Sequence, residues 1–141
     1  MSEQKKTSRR VAEEIFAGGK LDVIEEVFDP SYVGHDVASP EPLRGLEGVR
    51  EQAQGYRTAF PDLQVTVEDQ IAEGDKVTTR WTARGTHEGE LFGIGPTGKQ
   101  TTVSGITIDV YSGGKIVESW DNWDALGLMQ QIGVVPEMAQ A

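Results

Sequence analysis

A chain of 141 residues with a formal net charge of -10 has the size of a single domain (1–141) and can bury about two thirds of its unfolded surface, but it is too acidic to hold nucleic acid by neutralising phosphates or to sit on an anionic membrane. Its residues are 37% apolar, yet none of its apolar runs nears the roughly 20 residues of a membrane span. MSEQKKTSRR is not followed by the apolar stretch of a signal peptide, so a cytoplasmic protein is expected. With no cysteine in the chain, disulfides, thiolate catalysis and Cys-based metal sites are excluded, which leaves histidine and carboxylate chemistry.

From Gln4 to Ala17 the apolar residues Val11, Ala12, Ile15 and Phe16 recur at three- and four-residue spacing and predict a helix that Gly18-Gly19 ends. Leu21, Ile24, Val27 and Phe28 predict a second, short helix stopped at Asp29-Pro30, because proline disfavours helical geometry in the residue before it. Leu46, Val49, Ala53, Tyr56 and Phe60 form the cleanest helical stripe of the chain, closed by Pro61.

The period then changes from helical to two. Leu63, Val65, Val67, Asp69 and Ile71 alternate with polar residues, and the Thr-, Val- and Trp-rich segments Lys76–His87 and Lys99–Tyr111 read as long strands. Ser112-Gly113-Gly114-Lys115 predicts a tight hairpin, Ile116–Trp123 the returning strand, and Asp124–Ile132 a last short helix ended by Gly133. Helices followed by antiparallel strands make an α+β pattern, here a curved antiparallel sheet wrapped around the N-terminal helices to leave a cone-shaped, apolar pocket.

Three strings carry a resemblance. Gly85-Thr86-His87-Glu88-Gly89 is followed closely by Gly95-Pro96-Thr97-Gly98; then come Gly114-Lys115-Ile116-Val117-Glu118-Ser119-Trp120, and Trp123-Asp124 leading into Gly127–Gly133. With the order of elements, they resemble the SnoaL-like polyketide (ester) cyclases of the nuclear-transport-factor-like α+β cone superfamily, from Val11 to Gly133. That resemblance implies a catalytic acid/base aspartate near the end of the last strand, a polar pocket residue near His35, and a homodimer. Some family members pair a histidine with the aspartate across the hairpin; this strand offers Ser104, Ile106, Thr107 and Ile108 there.

The residues weigh the same candidates independently. If the hairpin ladder is regular, Asp121 falls opposite Ile106 and Ser119 opposite Ile108, so the face holding Asp121 also holds Trp123, Ile106 and Ile108. A carboxyl among apolar walls has its charged form disfavoured and titrates nearer neutrality, as a general acid or base needs. Asp121 is therefore the expected acid/base, with His35 as its possible assistant or merely a solvent-facing loop residue. Trp123 would stack on a flat ligand, and Trp81, Tyr56, Phe60, Ile106 and Ile108 are the remaining expected contacts. Asp124, just before a helical run, is expected to cap that helix, and His87, between Gly85 and Gly89, to be structural. Arg80 and Arg84 alternate with Trp81 and Ala83, and the sequence leaves open which pair faces the pocket.

Two separated histidines make a poor metal site, and the Gly93–Gly98 loop lacks phosphate-binding spacing, so neither metal nor nucleotide is expected. The expected activity is cofactor-free intramolecular aldol ring closure of a small hydrophobic, polyketide-like molecule. The alternatives are epoxide hydrolysis or isomerisation, which would need Arg80 turned inward, and a small-molecule binding protein without turnover.

Overall fold

The computed structural model describes residues 2–136. Helix α1 (Glu3–Arg10) begins at Ser2, whose side chain accepts from Lys5 N, and continues as a wider π-helical stretch, Val11–Ala17. This stretch departs from the single α-helix expected over 4–17. Its last carbonyls, Phe16 and Ala17, are not orphaned, because the Arg57 guanidinium donates to both at 2.9 and 2.6 Å. A 3-10 turn (Leu21–Val23) and α2 (Ile24–Val27) follow, then α3 (Gly45–Ala59) and, near the C-terminus, α4 (Ala125–Gln131). Asp124 caps α4 as expected, accepting from Gly127 N at 2.9 Å.

Six strands form one curved, unclosed sheet: β1 (Phe28–Asp36), β2 (Leu43–Arg44), β3 (Gln64–Glu73), β4 (Lys76–Thr86), β5 (Gln100–Ser112) and β6 (Lys115–Trp123), in the order β2-β1-β6-β5-β4-β3. The predicted strands are all present, and β1 and the short β2 are additions. Phe28 opens β1 instead of closing a helix, and Asp29-Pro30 lies within it. Pro30 is tolerated because β1 slips its register against β6 between Phe28 and Val33, a stretch where a missing amide breaks no ladder.

Apolar residues gather in two clusters. One joins Ile15, Ile24, Val27, Val49, Val77 and Ile116; the other joins Ala59, Phe60, Leu91, Leu128 and Ile132. Between the long strands one glycine sets how closely two tryptophans approach. A Cβ on Gly105 would stand 2.5 Å from the Trp81 ring and 2.7 Å from Trp123 Cβ. Gly105→Ala is expected to cost about 1–3 kcal/mol of stability through overpacking, read as a lower midpoint in thermal or urea unfolding. An unchanged midpoint would mean that the two rings separate freely. No helix among the described residues is long and apolar enough to cross a membrane.

Candidate active site

The hairpin β5-β6 decides the site. Gly113 and Gly114, with φ of 59° and 82°, make the expected turn, but the ladder beyond it is not regular. Ser112 pairs with Lys115 and Tyr111 with Ile116, then a bulge skips Val117 and Val110 pairs with Glu118. Every later pair is shifted by one, so Asp121 stands opposite Thr107 and Ser119 opposite Asp109. Asp121 still faces inward, because its own strand alternates with Ser119 and Trp123 on the inner face and Trp120 and Asn122 outward. The expected neighbours are corrected: Ile106 and Ile108 lie on the outer face, 45% and 37% exposed, and do not touch the cavity.

On β4 the alternation puts Thr79, Trp81 and Ala83 on the cavity and leaves Arg80 exposed. The inward Arg80 that epoxide hydrolysis would need is therefore absent. On β1, Tyr32, Gly34 and Asp36 are buried inward, whereas His35 faces out. His35 stacks on Trp120 with ring centroids 5.3 Å apart, and its Nε2 meets Glu118 Oε2 at 2.8 Å. It does not reach the cavity or Asp121, so the expected assistant is also corrected. His87 is fully buried against Phe60, with Nδ1 3.0 Å from Thr97 Oγ1, away from the cavity as its glycine setting predicts.

The cavity, about 140 Å³, runs between the α1 and α3 side and the inner face of the sheet. Aromatic rings of Tyr56, Phe60, Trp81 and Trp123 line it. Two adjacent strands, β1 and β6, run parallel with Asp36 beside Asp121, and Gln52 of α3 bridges their carboxyls at 3.0 and 3.3 Å. The two carboxyls are not equivalent. Asp36 Oδ2 accepts from Tyr56 OH at 2.8 Å and from Gln52, and its Oδ1 accepts from Trp123 Nε1 and Ala38 N, both at 2.9 Å. Its acceptor positions are filled, so it has no free lone pair with which to take a substrate proton. Among the described residues, the Asp121 carboxyl accepts only from Thr107 Oγ1, at 2.7 Å, and from Gln52, and the Thr107 hydroxyl is oriented by the Trp81 indole N–H at 2.9 Å. It keeps acceptor capacity that Asp36 lacks, and it lines the cavity.

Burial is the largest influence on Asp121, pushing its pKa up to about 6; the Thr107 hydrogen bond opposes the rise, and the nearby Asp109 and Asp36 carboxyls add to it. Burial also raises the pKa of Tyr56, reinforced by the charge of Asp36, so this phenol stays protonated as a donor. Asp36, Gln52 and Thr107 were missed by the sequence reading. Thr107 was hidden by the bulge. Asp36 was hidden because Tyr32–Asp36 was not read as a strand, although alternation from Tyr32 through Gly34 would have placed it inward.

The sequence matches the SnoaL-like polyketide cyclase family over residues 6–132. It is 30% identical over 134 residues to the aklanonic acid methyl ester cyclase AcmA of Streptomyces galilaeus, covering 94% of this chain and 92% of that protein. Among solved structures, a Jannaschia sp. CCS1 protein assigned to the SnoaL-like polyketide cyclases superposes with a TM-score of 0.86 at 26% identity, covering 95% of this chain and 94% of the other. AclR of Streptomyces galilaeus, assigned as a hydroxylase, superposes with a TM-score of 0.85 at 28% identity, covering 99% and 87%, so the scaffold is shared by proteins assigned to different chemistry. A curved sheet with an inward aspartate near the end of its last long strand, and a family match spanning residues 6–132, lead to one conclusion: this chain belongs to the SnoaL-like polyketide cyclase family.

Proposed function

We propose that the protein closes a carbocyclic ring in a polyketide-type ester by an intramolecular aldol reaction, with Asp121 as both base and acid. The observation that carries this reading is the contrast between the two carboxyls. Asp36 is saturated with donors, whereas Asp121 is held by two, has its pKa pushed up to about 6 by burial and lines an apolar cavity with acceptor capacity to spare. The relative from Streptomyces galilaeus is a cyclase of such an ester, aklanonic acid methyl ester.

Asp121 removes a proton from a carbon flanked by two carbonyl groups. The resulting enolate carbon bonds to a third, more distant carbonyl carbon of the same molecule, and the alkoxide formed there takes the proton back from Asp121. No group leaves, and the product is an isomer of the substrate. The flanking carbonyls already acidify the carbon, so the protein's share is to bring the reacting carbons together and to exclude water. Trp81 and Trp123 suit the first task, because each indole N–H is tied into the network and its ring face is thereby fixed. The test is conversion of a 1,3-dicarbonyl polyketide ester by the purified protein, followed as an isomer of unchanged mass. Binding without conversion of any such ester, by both the protein and its Asp121→Asn variant, would favour a binding protein instead.

A homodimer through the outer face of the sheet belongs to the same reading. Ile106, Ile108 and Trp120 expose apolar surface there beside the stacked His35. Ile108→Glu is expected to convert a dimer to a monomer in sedimentation velocity; a wild-type protein that sediments as a monomer would remove the proposal.

A further inference from the structure

One carboxyl on the cavity wall has no part in the reaction proposed above. Asp109 of β5 is buried on the inner face, opposite Val77 of β4 and Ser119 of β6. Its Oδ1 lies 2.6 Å from Ser119 Oγ and its Oδ2 lies 2.7 Å from Ser8 Oγ of α1. Ser8 Oγ is also 2.7 Å from Tyr111 OH, which donates to the Gln4 carbonyl at 2.9 Å.

These groups are joined by four short hydrogen bonds, and each bond needs one hydrogen. The Gln4 carbonyl has none, and the hydroxyls of Ser8, Ser119 and Tyr111 bring one each, three in all. The fourth hydrogen has to sit on Asp109. With it there, a single direction satisfies every link: Asp109 donates to Ser8, Ser8 to Tyr111 and Tyr111 to Gln4, while Ser119 donates to the other carboxyl oxygen.

We propose that Asp109 is a neutral carboxylic acid in the folded protein at neutral pH, and that its proton, passed on as a hydrogen bond to Ser8, ties α1 to the sheet. Asp109 is thus a positioning residue for the cavity, since Ser8, Val11, Ala12 and Phe16 supply the α1 side of its wall. The surroundings agree. Among the described residues, the titratable groups that face Asp109 are Tyr32 of β1, Tyr111 of its own strand and Asp121 of β6, none of them a cation. The contacts from α1 and β4, Ser8 and Val77, carry no charge. Burial raises the Asp109 pKa, and the Ser119 and Ser8 hydroxyls oppose that rise. A neutral Asp109 also withdraws one carboxyl's influence from Asp121 and leaves burial, the largest, in place.

The sign of the pH dependence follows. The folded protein keeps a proton that the unfolded chain loses above the ordinary carboxyl value of 3.8, so the stability this network contributes is complete at low pH and is lost as pH rises toward the raised value. Asp109→Asn places an amide N–H₂ toward Ser8 and a carbonyl toward Ser119, the same donor and acceptor as the neutral acid. The variant is expected to match the wild-type melting temperature under acid conditions and to exceed it under alkaline ones. Infrared spectra of protein carrying ¹³C-labelled aspartate, recorded at about pH 7.5 in an Asp121→Asn background, are expected to show a protonated-carboxyl band that Asp109→Asn removes. The Asp121 carboxyl, followed by ¹³C NMR, is expected to titrate at the same pH in Asp109→Asn as in the wild type. The proposal is overturned if the band is absent at that pH, or if Asp109→Asn lowers the Asp121 titration, since either result would mean a charged Asp109. Absence of the band is read on protein that keeps Asp109, so the infrared measurement decides even where the Asp109→Asn variant fails to fold. Nor does it depend on turnover, so it can fail while the aldol reading stands.

Discussion

Asp121→Asn is expected to lower kcat by about 10²- to 10⁴-fold while ligand binding changes little, because a general base contributes about that much to a proton transfer and the amide is isosteric with the carboxyl. The substitution leaves an oxygen to accept from Thr107 or Gln52, so the wall keeps its shape. In the wild type kcat/KM is expected to rise with pH through about 6 and to be flat above it, following loss of the Asp121 proton, and the residual rate of the variant to lack that step. Stability runs the other way. Burial holds the folded Asp121 proton up to about 6 while the unfolded chain releases it near 3.8, so the wild type is expected to lose stability more steeply than the variant as pH rises between those values, the variant keeping only the slope that Asp109 contributes. A variant that keeps turnover within a few-fold of the wild type would remove Asp121 from the chemistry, and parallel stability curves would show that its carboxyl is not buried in solution.

The largest effect on stability is expected at Asp36. Asp36→Ala leaves the Tyr56 hydroxyl, the Trp123 indole N–H and the Ala38 amide without the oxygens that now accept them, while Gln52 keeps Asp121, and Asp36 is only 7% exposed. Each buried donor left unpaired costs about 1–3 kcal/mol, and partial rehydration through the cavity brings the sum to about 3–5 kcal/mol. For a chain of this size that is a fall of roughly 10 °C in Tm, read by calorimetry. Asp36→Asn separates packing from acceptance, since its amide nitrogen turns one pair of donors toward a donor; it is expected to fall between wild type and alanine. A loss below about 1 kcal/mol in Asp36→Ala would mean that water already satisfies these donors.

Periodicity alone located much of the molecule. The 3.6-residue stripe of α3, the alternation of β3 to β6 and the Asp124 cap are local, and burying one face of each element reproduces them whatever the rest of the chain does. The same locality placed Asp121 and Trp123 on one face of β6, because alternation along a strand does not depend on its partner. Tyr56, Phe60, Trp81 and Trp123 all line the cavity; the helical stripe of α3 and the alternation of β6 carry three of them, whereas the face of β4 that holds Trp81 was settled only by the structure. β1 was less legible, since Asp29-Pro30 punctuates the segment as a helix stop and only its pairing with β6 makes it a strand. His35 was singled out by residue type, although its neighbour Asp36 holds the inward position.

Composition and hydrophobic period therefore determined the α+β class, the order of elements from α3 onward and the strand face that carries Asp121. Tertiary structure decided what Asp121 meets. A single bulge at Val117 moves every later cross-strand pair by one residue, which turns Ile106 and Ile108 outward and brings Thr107 and Asp109 in. The parallel pairing of β1 with β6 sets Asp36 beside Asp121, and the docking of α3 lays Gln52 between them. Each of these is a contact between segments far apart in the chain, with a geometry that a side-chain period of two or 3.6 does not encode.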